Sequence, residues 1–150
     1  MNHSRWKSGL LIAAAVHCGL WGLFIVGWPN LSFQVYGYTD GLTNTLVWQG
    51  CGFAIFMYGL GYALASTDPY HHYGLVLIGA VAKTCGTLGV LYGYLSGQFL
   101  LYSVAWVFVN DILWIVPFAF IVKDAVHSDG TLRTEQAGHE SSVWFDWLGV

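Results

Sequence analysis

Apolar residues in this chain form four long segments separated by short polar or proline-containing stretches. The segments cover residues 8–28, 44–65, 73–95 and 101–122. Each is about as long as the ~20 residues that a helix needs to cross the hydrocarbon core of a bilayer. The pattern therefore predicts an all-α integral membrane protein, built as an antiparallel bundle of four transmembrane helices.

Turn-forming residues mark the connections between these segments. Pro29 ends the first segment, and residues 96–98 turn the chain between the third and the fourth. Residues 31–42 mix aromatic residues with glycines. This composition also allows a short helix along the surface, and we predict a loop there. Asp68 and Pro69 precede the third segment. A carboxylate in that position accepts hydrogen bonds from free backbone N–H groups and proline suits a first helical turn, so we predict that Asp68 caps the third helix.

The composition places these helices in a membrane. Of the 150 residues, 56% are hydrophobic and 9% are charged, whereas roughly a quarter of the residues of a soluble domain are charged. We predict a four-helix transmembrane domain over residues 1–123 and a polar cytoplasmic tail over residues 124–150. The aromatic end of that tail, residues 143–148, is expected to anchor it to the membrane surface or to a partner protein.

Basic residues predict the orientation of the bundle. Arg5 and Lys7 precede the first segment, Lys123 and Arg133 follow the fourth, and the connections after the first and third segments contain no Lys or Arg. Because Lys and Arg accumulate in cytoplasmic loops, we expect both termini in the cytoplasm. The apolar run continues to Trp28 without a small-residue cleavage site, which favours a retained span over a signal peptide.

Net charge excludes one class of partner. The chain has a formal net charge of -3 and no run of basic residues. Binding to nucleic acid requires a concentration of positive charge, so we expect no nucleic-acid partner.

Two ionisable residues lie inside apolar segments at matching depth. With the rise of an α-helix, Lys83 is roughly 15 Å from the cytoplasmic end of its helix and Asp111 is roughly 16 Å from the same side. His17 and Tyr58 fall near this level, and Asn110 precedes Asp111. Since an ionisable group at membrane depth is costly, two at one level indicate that they interact. The five residues define a predicted buried polar layer.

Small residues around Lys83 predict close packing of the third and fourth helices. They permit backbones to approach, and the last two of them match the small-x-x-x-small pattern of packed membrane helices. The residues are Gly79, Ala82, Gly86, Gly89 and Gly93.

The polar layer has a structural and a functional interpretation. Lys83 and Asp111 form either a pair that fixes helix register or part of a proton relay or head-group pocket. His17 either joins the layer by a hydrogen bond or, in a helix with small neighbours, acts as an axial ligand of a haem or a chlorophyll.

No catalytic set or metal site is evident from the residue pattern. Cys18, Cys51 and Cys85 have no short metal-binding spacing, so we expect them to be small buried apolar residues. His71 and His72 are adjacent in the sequence, and neighbouring residues on a helix point in different directions. A metal site that used both would therefore require further ligands. Aromatic residues provide either packing or stacking surfaces for a quinone ring or a lipid tail; they include Trp48, Tyr62, Tyr92, Trp106 and Trp114.

Three groups of residues together resemble the sequences of small bacterial four-helix membrane proteins of the DoxX-like type. They are residues 61–72, Gly79 with Lys83, and residues 110–114 followed by Pro117 and Phe118. The resemblance covers about residues 10–122. The resemblance implies residence in a bacterial inner membrane and an association with the oxidation of quinones or of thiols. The absence of paired cysteines in this chain argues against thiol oxidation.

We expect the chain to be a non-enzymatic accessory subunit of a larger membrane complex of electron transport or photosynthesis. Its partners would then be the lipid bilayer and other membrane subunits, and its candidate cofactors a quinone, a lipid or a (bacterio)chlorophyll. The alternative is a DoxX-like redox protein, in which the polar layer surrounds a quinone head and Lys83 and Asp111 relay protons.

Overall fold

The computed structural model describes residues 3–128 of the chain. Within this range the secondary structure is helical, with α1 over His3–Gly27, α2 over Pro29–Val35, α3 over Thr45–Ala65, α4 over Tyr73–Leu95 and α5 over Leu101–Ser128. Three helices, α1, α4 and α5, are long and apolar enough to cross a membrane. The helix α3, which contains the predicted second span, is not among them.

The C-terminal part of the prediction falls mostly outside this range. The helix α5 continues to Ser128, past the predicted domain boundary at Lys123. Arg133 and the predicted aromatic anchor, residues 143–148, lie outside the described residues.

The short helix α2 shows that the predicted loop over residues 31–42 is wrong in its first part. Pro29 occupies the first turn of α2, where its missing N–H breaks no hydrogen bond. The buried Ser32 hydroxyl donates to Pro29 O and accepts from Trp48 Nε1, each at 2.9 Å. Pro29 thus follows the end of α1 and lies in the first turn of α2. Because the proline was interpreted as the end of a helix, the sequence pattern did not lead to a prediction of α2.

Glycines bring α1 and α3 together until their backbones touch. A Cβ atom on Gly22 would lie 2.6 Å from Gly52 O, and one on Gly59 would lie 2.9 Å from Ala15 O. The sequence instead predicted close packing from the glycines of α4. That prediction is wrong for Gly89, where a Cβ atom would meet nothing within 4 Å.

The apolar core lies between α1, α3, α4 and α5. Its buried members are Leu11, Ala14, Cys18, Tyr62, Ala65, Val76, Trp114, Phe118 and Ile121. The outward faces are also apolar, as lipid requires; Leu46 is 79% and Leu95 75% exposed. Cys51 and Cys85 lie on these outward faces, so the prediction that all three cysteines are buried is wrong for two of them.

Lys7 ties three parts of the chain together at one end of the molecule. Its side chain is fully buried, and its ammonium group donates to Tyr70 Oη and to Asp124 Oδ2, each at 2.8 Å. The start of α1, the α3–α4 connection and the end of α5 therefore meet. From the sequence, Lys7 indicated only the orientation of the bundle. In the structure it is a buried cation that connects three parts of the chain.

The opposite end is closed by aromatic residues. Gly37 takes a positive φ of 82°, a conformation that glycine adopts without strain. Its carbonyl accepts from Leu100 N at 2.9 Å, which ties the α2–α3 connection to the α4–α5 turn. The ring of Phe99 fits against Gly93 and contacts the ring of Tyr38, with centroids 4.3 Å apart. These rings cover the space between the helices.

Candidate functional site

A cavity of about 250 Å³ lies between α1, α3, α4 and α5, below the aromatic residues that close one end. All five residues of the predicted polar layer line it: His17, Tyr58, Lys83, Asn110 and Asp111. Residues predicted at one depth from helical rise alone therefore share one space. The rest of the lining is largely apolar and aromatic, including Trp21, Tyr36, Tyr38, Trp48, Tyr62 and Phe99.

Lys83 and Asp111 contact each other across α4 and α5. The Lys83 ammonium donates to Asp111 Oδ1 at 3.3 Å and to the backbone carbonyl of Asn110 at 2.6 Å. Only 8% of Lys83 is exposed. A Cβ atom on Gly86 would lie 3.2 Å from Asp111 Oδ2, so this glycine leaves room for the carboxylate. The pair is held by a backbone acceptor as well as by opposite charge.

A π-helical turn carries the acceptors of Lys83. It covers Phe108–Ile112 inside α5 and contains both Asn110 and Asp111. Such turns add a residue to a helix and occur frequently at functional sites. No feature of the residue pattern predicted it.

Asn110 links the layer to α1 and keeps one polar atom without a partner. Its Oδ1 lies 2.9 Å from His17 Nε2, and because an amide oxygen only accepts, the imidazole N–H donates. Its Nδ2 is buried and has no hydrogen-bond partner among the described residues. A buried donor without a hydrogen bond lowers the stability of a protein by about 1–3 kcal/mol. Among the polar atoms of the site, this one is the clearest departure from normal hydrogen bonding.

The His17 ring contacts two side chains of α5, Asn110 and Trp114. Its Nε2, a nitrogen that an axial ligand would use, is engaged with Asn110 Oδ1. Its ring lies beside that of Trp114, with centroids 5.4 Å apart. Over residues 3–128, no three His, Cys, Asp or Glu side chains gather where they could hold a metal ion.

Two tyrosines of α3 line the cavity wall. Tyr58 belongs to the predicted layer, and its ring stacks on that of Tyr62 with centroids 6.3 Å apart. Tyr62 is 1% exposed, and its hydroxyl lies where a side chain at Gly79 would be. The sequence named Tyr62 only as an aromatic packing or stacking residue; its place in the wall depends on a glycine of another helix.

The aromatic end of the cavity comes from the region predicted as a loop. Trp21 Nε1 donates to Tyr36 Oη, and the Trp48 ring stands edge-on to that of Tyr36, with centroids 5.2 Å apart. Burial raises the pKa of the Tyr36 and Tyr38 hydroxyls, so both are neutral at physiological pH. The sequence missed Tyr36 and Tyr38, although the aromatic residues in that short connection were a signal.

Asp68 lies outside the cavity and caps a turn rather than α4. Its Oδ1 accepts from Tyr70 N and His71 N, each at 3.1 Å, whereas α4 begins at Tyr73. The backbone N–H of His71, followed by that of Tyr70, lowers the pKa of the Asp68 carboxyl. The residue stabilises the α3–α4 connection that also positions Tyr70.

The free donors of the cavity suit a ligand with acceptor atoms. An ammonium group has three N–H bonds, and Lys83 uses two of them on Asn110 O and Asp111 Oδ1. Asn110, which also lines the cavity, adds a buried donor that has no partner in the part of the chain that the structure describes. A cavity of about 150 Å³ holds benzene, so this one has room for a substituted six-membered ring between aromatic walls.

Comparison of the chain with family models, with curated proteins and with solved structures finds no match. The functional proposal therefore depends on the geometry of the site.

Proposed function

We propose that this chain is a membrane protein that binds a small, flat carbonyl compound of the quinone class between its helices. The observation that carries the proposal is that Asn110, a residue that lines the cavity, has a buried Nδ2 with no hydrogen-bond partner among the described residues. A quinone carbonyl would accept from this donor, and its ring would lie between aromatic side chains. The DoxX-like resemblance is consistent with the same ligand class.

The proposal includes a proton relay through the charged pair. Lys83 and Asp111 line the cavity and are in contact, so both reach a ligand placed there. A bound quinone would be reduced by two electrons from an external reductant, such as a redox cofactor of a partner protein, and each carbonyl oxygen that becomes a hydroxyl takes up one proton. The ammonium group of Lys83 is positioned to supply it, with Asp111 as the group that exchanges protons with Lys83.

Fluorescence titration tests ligand binding. Quinones quench tryptophan emission, and Trp21 and Trp48 line the cavity. The ubiquinone head group without a side chain should quench the detergent-solubilised protein saturably. Asn110→Leu should weaken this binding about tenfold, the upper end of the effect of one lost hydrogen bond.

Two control variants isolate the role of Nδ2. His17→Leu removes the contact between His17 and Asn110 but keeps the Nδ2 donor, so it should retain most of the binding. Thr84→Val alters an exposed position outside the cavity and should bind like the wild type. The proposal fails if the wild type shows only linear quenching, or if Asn110→Leu binds as tightly as Thr84→Val.

We further propose that the chain crosses a bacterial inner membrane four times, with α3 as the additional span and both termini in the cytoplasm. The contact of Lys7 with Tyr70 and Asp124 supports an even number of crossings, because it gathers the start of α1 and the end of α5 at one end. The basic residues Arg5 and Lys123 near that end support its cytoplasmic placement.

A second proposal is the accessory subunit of a larger electron-transport or photosynthetic complex. The outer face of α3 favours it, because this helix is not among the three candidate spans and still exposes Leu46, Val47 and Phe53. A helix of that kind is stabilised in a bilayer by neighbouring helices, which a partner subunit would supply.

A further inference from the structure

A second hollow lies beside the cavity, on the outer side of α3 and α4. It has a volume of about 410 Å³, and its lining includes Met57, Gly61, Leu75 and Ile78. Tyr58 and Tyr62 line both this groove and the cavity. The two tyrosine rings are therefore the partition between a polar space and an apolar one.

The groove opens toward the position of lipid. Met57 is 47% and Ile78 58% exposed. The helix α3 also packs against α4 less extensively than it packs against α1. Among the residues that line the groove, only the two tyrosines carry polar side-chain atoms. An apolar chain fits such a groove, whereas a polar head group does not.

We propose that the natural ligand is an amphiphile that enters sideways from the bilayer between α3 and α4. Its carbonyl-bearing ring occupies the cavity beside Asn110 and Lys83, and its apolar chain lies in the groove, passing the rings of Tyr58 and Tyr62. This inference rests on the proposed function and adds the part of the ligand that the cavity does not hold.

The shared tyrosine wall of the two spaces favours one molecule over two. The groove adjoins the cavity along a shared wall and faces the medium in which an amphiphile dissolves. This route requires side-chain movement of the two tyrosines.

Gly61 lies where a larger side chain would block the apolar chain of the ligand from the groove. It lines the groove, and a Cβ atom built on it meets nothing within 4 Å. A larger side chain can therefore be added without a clash inside the protein, and it would occupy the space that the ligand chain needs. Gly89 is the matched control, because it is equally open and lines neither hollow.

The test compares two probes, the ubiquinone head group without a side chain and decylubiquinone, in wild type, Gly61→Leu and Gly89→Leu. For Gly61→Leu the affinity for decylubiquinone should fall about tenfold, as expected for a steric conflict in a packed space, while the affinity for the bare head group stays unchanged. Gly89→Leu should match the wild type for both probes. Partition of the decyl chain into detergent is the same for all three proteins and cancels in the comparison.

Ile78→Trp narrows the groove from α4 and should have the same selective effect if Gly61→Leu yields too little folded protein. The inference is overturned if the narrowed variants bind decylubiquinone as the wild type does, since the decyl chain would then lie outside the groove. Failure of the proposed function looks different: the wild type would not bind the bare head group saturably.

Discussion

At the scale of single residues, Lys83 shows how a charge is stabilised in an apolar helix. Its ammonium group has a carboxylate and a backbone carbonyl within hydrogen-bonding distance, and two charges removed from water are stable only with such partners. Helical rise was sufficient to place Lys83 and Asp111 at one level. It could not show that Asn110 supplies a second acceptor, because that depends on the π-helical turn in α5.

Charge exchange tests the pair directly. Lys83→Asp or Asp111→Lys alone places like charges together and should cost about 3–5 kcal/mol, the range for breaking a buried pair. The double variant restores opposite charges and should recover part of the lost yield and thermal stability, measured by fluorescence-detected gel filtration. Single alanine variants would not help, because both a structural pair and a relay lose stability when one partner is removed.

The double variant also separates structure from function. If it folds no better than the single variants, the contact between positions 83 and 111 is not what stabilises the protein. If it folds and still binds the quinone head group about tenfold more weakly than the wild type, the orientation of the charges serves the ligand, since a reversed pair presents a carboxylate where an ammonium donor stood.

At the scale of helices, the tightest packing is between α1 and α3 and not between the helices of the charged pair. Small residues permit close approach only where they face a neighbour. The sequence contains glycines in every helix, and their positions alone do not reveal which of them face inward. Gly59 meets the backbone of α1, whereas Gly61, two residues along α3, meets nothing within 4 Å.

This contrast gives a matched pair of substitutions. Gly59→Ala should lower the free energy of unfolding by about 1–3 kcal/mol, the usual cost of overpacking, because the new Cβ atom would lie 2.9 Å from Ala15 O and neither backbone can move alone. Gly61→Ala adds the same group into open space. The measurement is thermal unfolding of both variants in one detergent; equal melting temperatures would contradict the packing of α1 on α3.

At the scale of the whole molecule, the cavity exists because four helices and two connections contribute to it. Polar residues come from α1, α4 and α5, the tyrosine wall from α3, and the aromatic closure from the α2–α3 connection and the α4–α5 turn. No helix alone holds the site. The two proposed functions differ in whether this unit acts by itself or within a larger assembly.

Extraction in mild detergent distinguishes the two functions. Ligand binding predicts a lone protein or small oligomer, with a chain-bearing quinone in its organic extract as detected by mass spectrometry. The accessory-subunit proposal predicts co-elution with a large complex. A visible absorption band that His17→Leu abolishes would instead indicate a bound haem or chlorophyll, and would contradict the assignment of His17 to the hydrogen bond with Asn110.

The sequence by itself determined the helical, membrane-like character of the chain and the common level of Lys83 and Asp111. Both follow from local quantities, namely hydropathy over about twenty residues and a constant rise per residue. Tertiary structure alone decided which glycines pack, why Tyr62 has room beside Gly79, and that Asn110 Nδ2 is buried without a partner within residues 3–128. These features depend on how helices rotate about their axes and on a π-helical turn, and neither is encoded in residue spacing along a single segment.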